Sequence, residues 1–64
     1  MTLLDACREV MSQSPEYLTR EYPEGLSSAD VLKEIRFRHG EDAFPLVSII
    51  DVADEMRAFY GAGR

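Results

Sequence analysis

The sequence contains few of the side chains that build metal, redox or covalent active sites. Cys7 is the only cysteine, His39 is the only histidine, and tryptophan is absent. One thiol cannot close an internal disulfide or form a cysteine zinc cluster, and the acidic residues lack EF-hand spacing. We therefore expect neither a metal nor a cofactor. Because apolar residues flank Cys7, we interpret it as a small buried hydrophobic residue.

Basic charge is also scarce. The chain has 12 acidic and 7 basic side chains and a net charge of −5. Residues 1–26 and 41–64 each carry two arginines against five acids, whereas residues 27–40 have a net charge of +1. Nonspecific nucleic-acid binding depends on neutralising phosphates, so this balance argues against nucleic acid as the partner.

Long apolar runs are missing as well. No stretch approaches the ~18 apolar residues that cross a bilayer, and the N-terminus lacks a basic region followed by an apolar run. We therefore expect a cytoplasmic protein that does not bind membranes. The 45% hydrophobic and 30% charged residues are typical of a globular chain. Sixty-four residues predict one domain, 1–64, which buries only about 60% of the surface of the unfolded chain.

What the sequence does contain is a repeated signal for the start of a helix. Leu26–Val31 and Val47–Val52 both read apolar, Ser, two spacers, Asp, Val. The Ser hydroxyl can accept from a backbone N–H of the first turn, and the Asp carboxylate can reach back to the Ser N–H. The apolar residues at the two ends fall where a hydrophobic staple forms. Thr2–Asp5 is a weaker third copy without a staple.

These signals and the apolar spacing predict an all-α fold, a small three-helix bundle with an additional short helix. The predicted helices span residues 3–13, 15–21, 28–39 and 49–60, with Gly40 and Gly61 ending the last two. The tail, residues 61–64, is predicted to fray. The connector 41–47 contains Pro45, which argues against a central strand. In that connector we expect three partly buried side chains: Phe44, Leu46 and Val47.

The side chains needed for catalysis do not form a recognisable set. The serines are better explained as caps and turn residues, and His39 lies in the last turn of a predicted helix, where the helix dipole favours it. A pair of carboxylates that does acid–base chemistry needs a concave, dry site, which so small a chain rarely encloses. We therefore predict no catalytic residues and no enzymatic activity.

One alternative comes from a resemblance. Leu26–His39 resembles the second helix of many winged-helix repressors, and with the connector and last helix the likeness covers about 35 residues. It implies a helix-turn-helix regulator whose last helix reads DNA. The connector is longer than the three to four residues of the simple motif. The last helix also carries three carboxylates and only one side chain suited to phosphate or guanine, Arg57. On this alternative the phosphates would be bound by Lys33, Arg36 and Arg38.

The other candidate is a protein-binding face. At about 100° per residue, Phe37 lies roughly 200° from the predicted core residue Ile35. Aromatic residues and arginine are enriched in interface hot spots, and Arg36 and Arg38 flank Phe37. The alternative is that Phe37 packs inside the domain. Tyr60 at the end of the last helix is a secondary candidate.

From this pattern we predict a non-enzymatic protein–protein interaction module that docks through a helical face. It could act as an adaptor, an accessory subunit or an acidic inhibitor that occupies a basic groove meant for nucleic acid. The partner is another protein, and a homodimer is a further expectation because it would bury excess apolar area.

Overall fold

In the computed structural model, the backbone is described for residues 1–62 and the side chains as far as Phe59. Four helices follow one another: α1 (Leu3–Met11), α2 (Pro15–Glu21), α3 (Ser28–His39) and α4 (Ile49–Ala62). Residues 1–62 include no strand. The predicted all-α fold is therefore confirmed.

The two strongest helix-start signals form complete capping boxes. At α3, the Asp30 N–H donates to Ser27 Oγ at 3.2 Å and the Ser27 N–H donates to Asp30 Oδ2 at 3.1 Å. At α4, the matching distances between Ser48 and Asp51 are 3.3 and 2.9 Å. Each box satisfies backbone donors that a helix start leaves without partners. The predicted starts of α3 and α4 are confirmed.

The first two helices begin with the same chemistry. Thr2 and Asp5 form the third capping box, and their hydrogen bonds hold the pKa of the Asp5 carboxyl below its usual value. Ser14 caps α2 through a 3.2 Å bond from the Tyr17 N–H to its hydroxyl oxygen, and Pro15 occupies the first turn. Proline suits that position because the first turn needs no N–H donor there.

Two predicted helix ends are wrong by two residues. α1 ends at Met11 rather than at residue 13. Ser14 has the extended backbone that proline imposes on the preceding residue, so the chain must leave the helix before it. α4 passes through Gly61 and ends at Ala62. Glycine costs a helix only about 1 kcal/mol relative to alanine, so it weakens the last turn without stopping it. Of the tail that was predicted to fray, residues 61 and 62 belong to α4, and residues 63 and 64 lie outside the described residues.

The core lies between the three long helices. Its buried residues come from α1, α3 and α4: Ala6, Cys7, Val10, Met11, Val31, Leu32, Ile35, Val52 and Met56. Leu26 and Val47, the N-terminal members of the two predicted staples, pack against this core and are partly buried. Ile49, the first residue of α4, is 49% exposed.

The connector between α3 and α4 has an unusual backbone. Gly40 and Phe44 both have positive φ, at +104° and +52°. Glycine adopts this region without a steric penalty, whereas a phenylalanine needs support from its surroundings. Phe44 is half-buried as expected, but Leu46 is 96% exposed and its predicted burial is wrong. The turn that buries Phe44 leaves the Leu46 side chain in solvent.

Candidate protein-binding face

Phe37 is the most exposed aromatic side chain among residues 1–59. It is 86% exposed, whereas Ile35, two residues earlier on the same helix, is fully buried. The helical spacing of about 100° per residue explains the contrast, since two positions rotate a side chain by about 200°. The alternative in which Phe37 packs inside the domain is therefore wrong.

A groove runs between α2 and α3 and ends at Phe37. We call it the aromatic groove, and its volume is about 350 Å³. Its lining consists of three aromatic rings, three acids and one base: Tyr17, Tyr22, Phe37, Glu21, Asp30, Glu34 and Lys33. A second groove, also lined by Lys33 and Phe37, extends to Gly40 and Glu41. The Phe37 ring therefore borders two concave surfaces.

Glu34 organises the aromatic groove. The Tyr22 hydroxyl donates to Glu34 Oε2 at 2.8 Å, and the Tyr17 hydroxyl donates to Oε1 at 3.4 Å. The hydrogen bond to Glu34 raises the pKa of Tyr22 to about 12, and partial burial followed by the Glu34 charge raises the pKa of Tyr17. Both tyrosines are therefore neutral donors at physiological pH. The Glu34 carboxylate holds both of their side chains in place in the groove.

The Arg36 side chain is used inside the molecule. Its Nε donates to the Ala43 carbonyl at 3.4 Å and its Nη2 donates to the Phe44 carbonyl at 3.3 Å. These are the carbonyls beside the positive-φ turn of the connector. The guanidinium therefore supports the connector, and its charge is directed towards the backbone.

The Arg38 side chain links helices. Its Nη1 lies 3.5 Å from Glu9 Oε1 on α1, and its Nε lies 3.5 Å from Glu34 Oε1. His39 Nε2 lies 3.4 Å from Glu9 Oε2 on the same cluster. Arg36 and Arg38 thus flank Phe37 in the sequence, but the Arg36 guanidinium bonds to the connector backbone and the Arg38 guanidinium pairs with Glu9 and Glu34.

The residues that surround Phe37 in space were not predicted from the sequence. Helical periodicity located Phe37, but it did not identify Tyr17, Tyr22 or Glu34 as its neighbours. Their contacts join positions 12 and 17 residues apart, and no local pattern reports such a pairing. The one available signal was the presence of two tyrosines on a short helix with little apolar surface. The other predicted site residue, Tyr60, has a side chain outside the described residues.

The exposed side of α4 is acidic. Arg57, the one residue there suited to phosphate or guanine, is paired through its Nη2 with Asp54 Oδ1. Asp51 is engaged in the cap with Ser48. The side chains that would face DNA on the helix-turn-helix alternative thus include two exposed carboxylates and an arginine that is already paired.

Three further findings bear on function. Within residues 1–62, no helix has the length and apolarity required to cross a membrane. The described part of the chain also contains no group of three His, Cys, Asp or Glu side chains placed to hold a metal ion. No protein-family model, no curated protein and no solved structure matches this chain.

Proposed function

We propose that this protein is a small non-enzymatic binding module that docks onto another protein through the face of α3 centred on Phe37. The observation that carries the proposal is the 86% exposure of the Phe37 ring. Covering a phenylalanine side chain contributes about 1.5–3 kcal/mol, and aromatic residues are enriched in the energetic centres of interfaces. A partner that covers the Phe37 ring therefore gains this binding free energy from a single side chain.

The surroundings of Phe37 support this proposal because they are already ordered. Arg36 is bonded to the connector, Arg38 joins α1 and α3, and Glu34 fixes the two tyrosines of α2. Side chains that are ordered before binding lose less conformational freedom when the partner arrives. The residues around Phe37 therefore form a surface that is ordered before a partner binds.

Duplex DNA is the less suitable partner. The helix-turn-helix alternative would place α4 against a polyanion, while α4 exposes Asp51 and Asp54 and pairs Arg57 with Asp54. Repulsion between carboxylates and phosphates opposes such a complex. We therefore favour a protein partner, which includes a second copy of this chain or a basic protein that the acidic surface would inhibit.

The test is a comparison of two variants in affinity capture from the native host at endogenous level. Phe37→Ala is expected to lose the captured partner, while Leu46→Ala, which truncates a side chain that is 96% exposed elsewhere, is expected to retain it. Circular dichroism should show equal helicity for both variants. Equal capture by wild type and Phe37→Ala would contradict the proposal, and so would unfolding of Phe37→Ala.

Two further measurements separate the kinds of partner. Light scattering of wild type and Phe37→Ala identifies a second copy, since a dimer built on this face should dissociate in the variant. A gel shift with duplex DNA is expected to show no retention at physiological salt. Retention that falls steeply with added salt would support the regulator instead. Competition with nucleic acid for a basic partner would identify the inhibitor form.

A further inference from the structure

The aromatic groove has a lining that suits a cation. Three rings line it, and its three carboxylates outnumber its one ammonium group, that of Lys33. Aromatic rings carry negative charge on their faces and attract cations that lie within about 6 Å of the ring centre. Arginine and lysine stems also bury their apolar methylenes against such surfaces. The lining therefore combines ring faces with an excess of negative charge.

The three carboxylates differ in their availability. Glu34 accepts from Tyr17 and Tyr22, and Asp30 accepts from the Ser27 cap. Glu21, in contrast, makes no hydrogen bond or ion pair with any described residue and is exposed. Glu21 is therefore the carboxylate that can pair with an incoming cation without breaking an existing contact.

The ring of Tyr17 already has an arginine near it. The guanidinium carbon of Arg20 lies 6.0 Å from the centre of the Tyr17 ring. This distance is at the outer limit of a cation–π contact. A guanidinium is thus sterically compatible with one of the rings of the aromatic groove.

We propose that the aromatic groove receives an arginine side chain of the partner protein, whose guanidinium stacks on Phe37 and pairs with Glu21. The inference rests on the proposed function, because it assigns the chemistry of the partner that docks on the same face. A guanidinium suits this groove better than a point charge because it is planar, stacks on rings and binds a carboxylate through two N–H groups. The net charge of −5 favours approach of such a partner.

The direct test is an NMR titration of the full chain with N-acetylarginine amide, a probe that contains only the proposed side chain. The matched control is N-acetylcitrulline amide, which has the same shape and no charge. We expect binding on the order of millimolar, with shifts confined to the amides of α2 and the outer face of α3, and about fivefold weaker binding of the citrulline probe. Added salt should weaken the arginine complex.

Variants locate the binding. Phe37→Ala and Glu21→Gln are each expected to weaken the arginine probe about threefold, and Lys33→Gln is expected to strengthen it about twofold by removing the opposing charge. Leu46→Ala should leave it unchanged. Equal binding of both probes, or shifts that ignore Phe37→Ala and Glu21→Gln, would overturn the inference. All three groove positions are solvent-exposed, so the variants are expected to fold.

Failure of the arginine proposal can be distinguished from failure of the proposed function. If the native partner is captured through Phe37 but Glu21→Gln does not affect capture and the arginine probe does not compete, the docking face is correct and the arginine is wrong. If Phe37→Ala captures as much partner as wild type, the proposed function itself fails. If both variants weaken capture and the arginine probe displaces the partner, both proposals are supported.

Discussion

The molecule attaches its helices in two different ways. Among residues 1–59, α1, α3 and α4 share a core of nine buried residues, of which five have no exposed surface: Ala6, Cys7, Val31, Ile35 and Val52. α2, all of whose residues are described, has none that is buried. It is attached through the hydroxyl groups of Tyr17 and Tyr22, which donate to Glu34 on α3. Apolar burial is spread over many contacts, whereas both of these hydrogen bonds end on one carboxylate.

This difference predicts a division of stability within a short chain. A core gains about 25 cal/mol for each Å² of apolar surface removed from water, and it is lost cooperatively. Hydrogen bonds to a charged group contribute about 1.5–3 kcal/mol and can be lost one at a time. Regions with few buried contacts open at a lower free energy than the core. We therefore expect α2 to open while the three-helix core remains folded.

The largest effect should come from the core. Ile35→Ala removes a fully buried side chain and is expected to lower the free energy of unfolding by about 2–5 kcal/mol. That is much of the total stability of a small domain, so urea unfolding followed by circular dichroism should show a large shift or an unfolded protein. Phe37→Ala on the same helix is the matched control and should change stability by less than about 0.5 kcal/mol. Similar losses in both would contradict the assignment of the core.

The next effect should be confined to α2. Glu34→Gln removes the charge that both tyrosine hydroxyls and Arg38 contact, and we expect a loss of about 1–3 kcal/mol. Amide hydrogen exchange should accelerate in Pro15–Glu21 more than in α1 or α4. Glu24→Gln, at an exposed acid, is the control. Uniform acceleration across all helices would show that α2 opens only with the core.

A third effect concerns the helix starts. Ser27→Ala removes the side-chain acceptor of the α3 cap and should cost about 1 kcal/mol. Ser28→Ala, one residue into the same helix, should be close to neutral because alanine favours helix interiors. Thermal unfolding of the two variants measures the difference. A larger loss in Ser28→Ala would mean that the cap is not the source of stability.

The smallest effect is a dependence on alkaline pH. The Glu34 carboxylate raises the pKa of Tyr22 from 10.0 to about 12, so the folded state holds the phenol proton more tightly than the unfolded state does. This contribution to stability is fully present below pH 10 and is lost as the pH rises through about 12. Denaturant unfolding over that range should show the decline, and Tyr22→Phe should reduce it. An ultraviolet titration in which every tyrosine ionises near pH 10 would contradict the contact with Glu34.

The sequence predicted the local parts of this structure well. The starts of α3 and α4 depend on Ser27 with Asp30 and Ser48 with Asp51, residues only three positions apart, so adjacent chemistry determines them. Helical periodicity also placed Phe37 away from the core residues of α3, but it did not decide between exposure and packing inside the domain, which the structure resolves as 86% exposure. The predicted end of α1 was wrong because the chain leaves the helix at Ser12, with φ −91° and ψ 8°, two residues before the extended Ser14 that precedes Pro15.

The candidate site was only partly predictable because it depends on contacts between distant positions. Phe37 could be located by its place on α3, but the engagement of Arg36 with the connector and of Arg38 with Glu9 depends on how the helices pack. Tyr22 and Tyr17, which line the aromatic groove, lie 12 and 17 positions before Glu34 in the sequence. A long arginine side chain can reach several neighbouring residues, and sequence spacing does not predict which of them it contacts.

The single thiol has a practical consequence. Cys7 is fully buried, and burial raises the pKa of its thiol above the usual value, with Glu55 adding to the effect. The reactive thiolate is therefore scarce, and a thiol-specific reagent reaches the sulfur only when the helices separate. The labelling rate of the unmodified protein would thus measure how often its core opens. A ligand that stabilises the fold would slow the labelling, and this effect could be measured without introducing a dye.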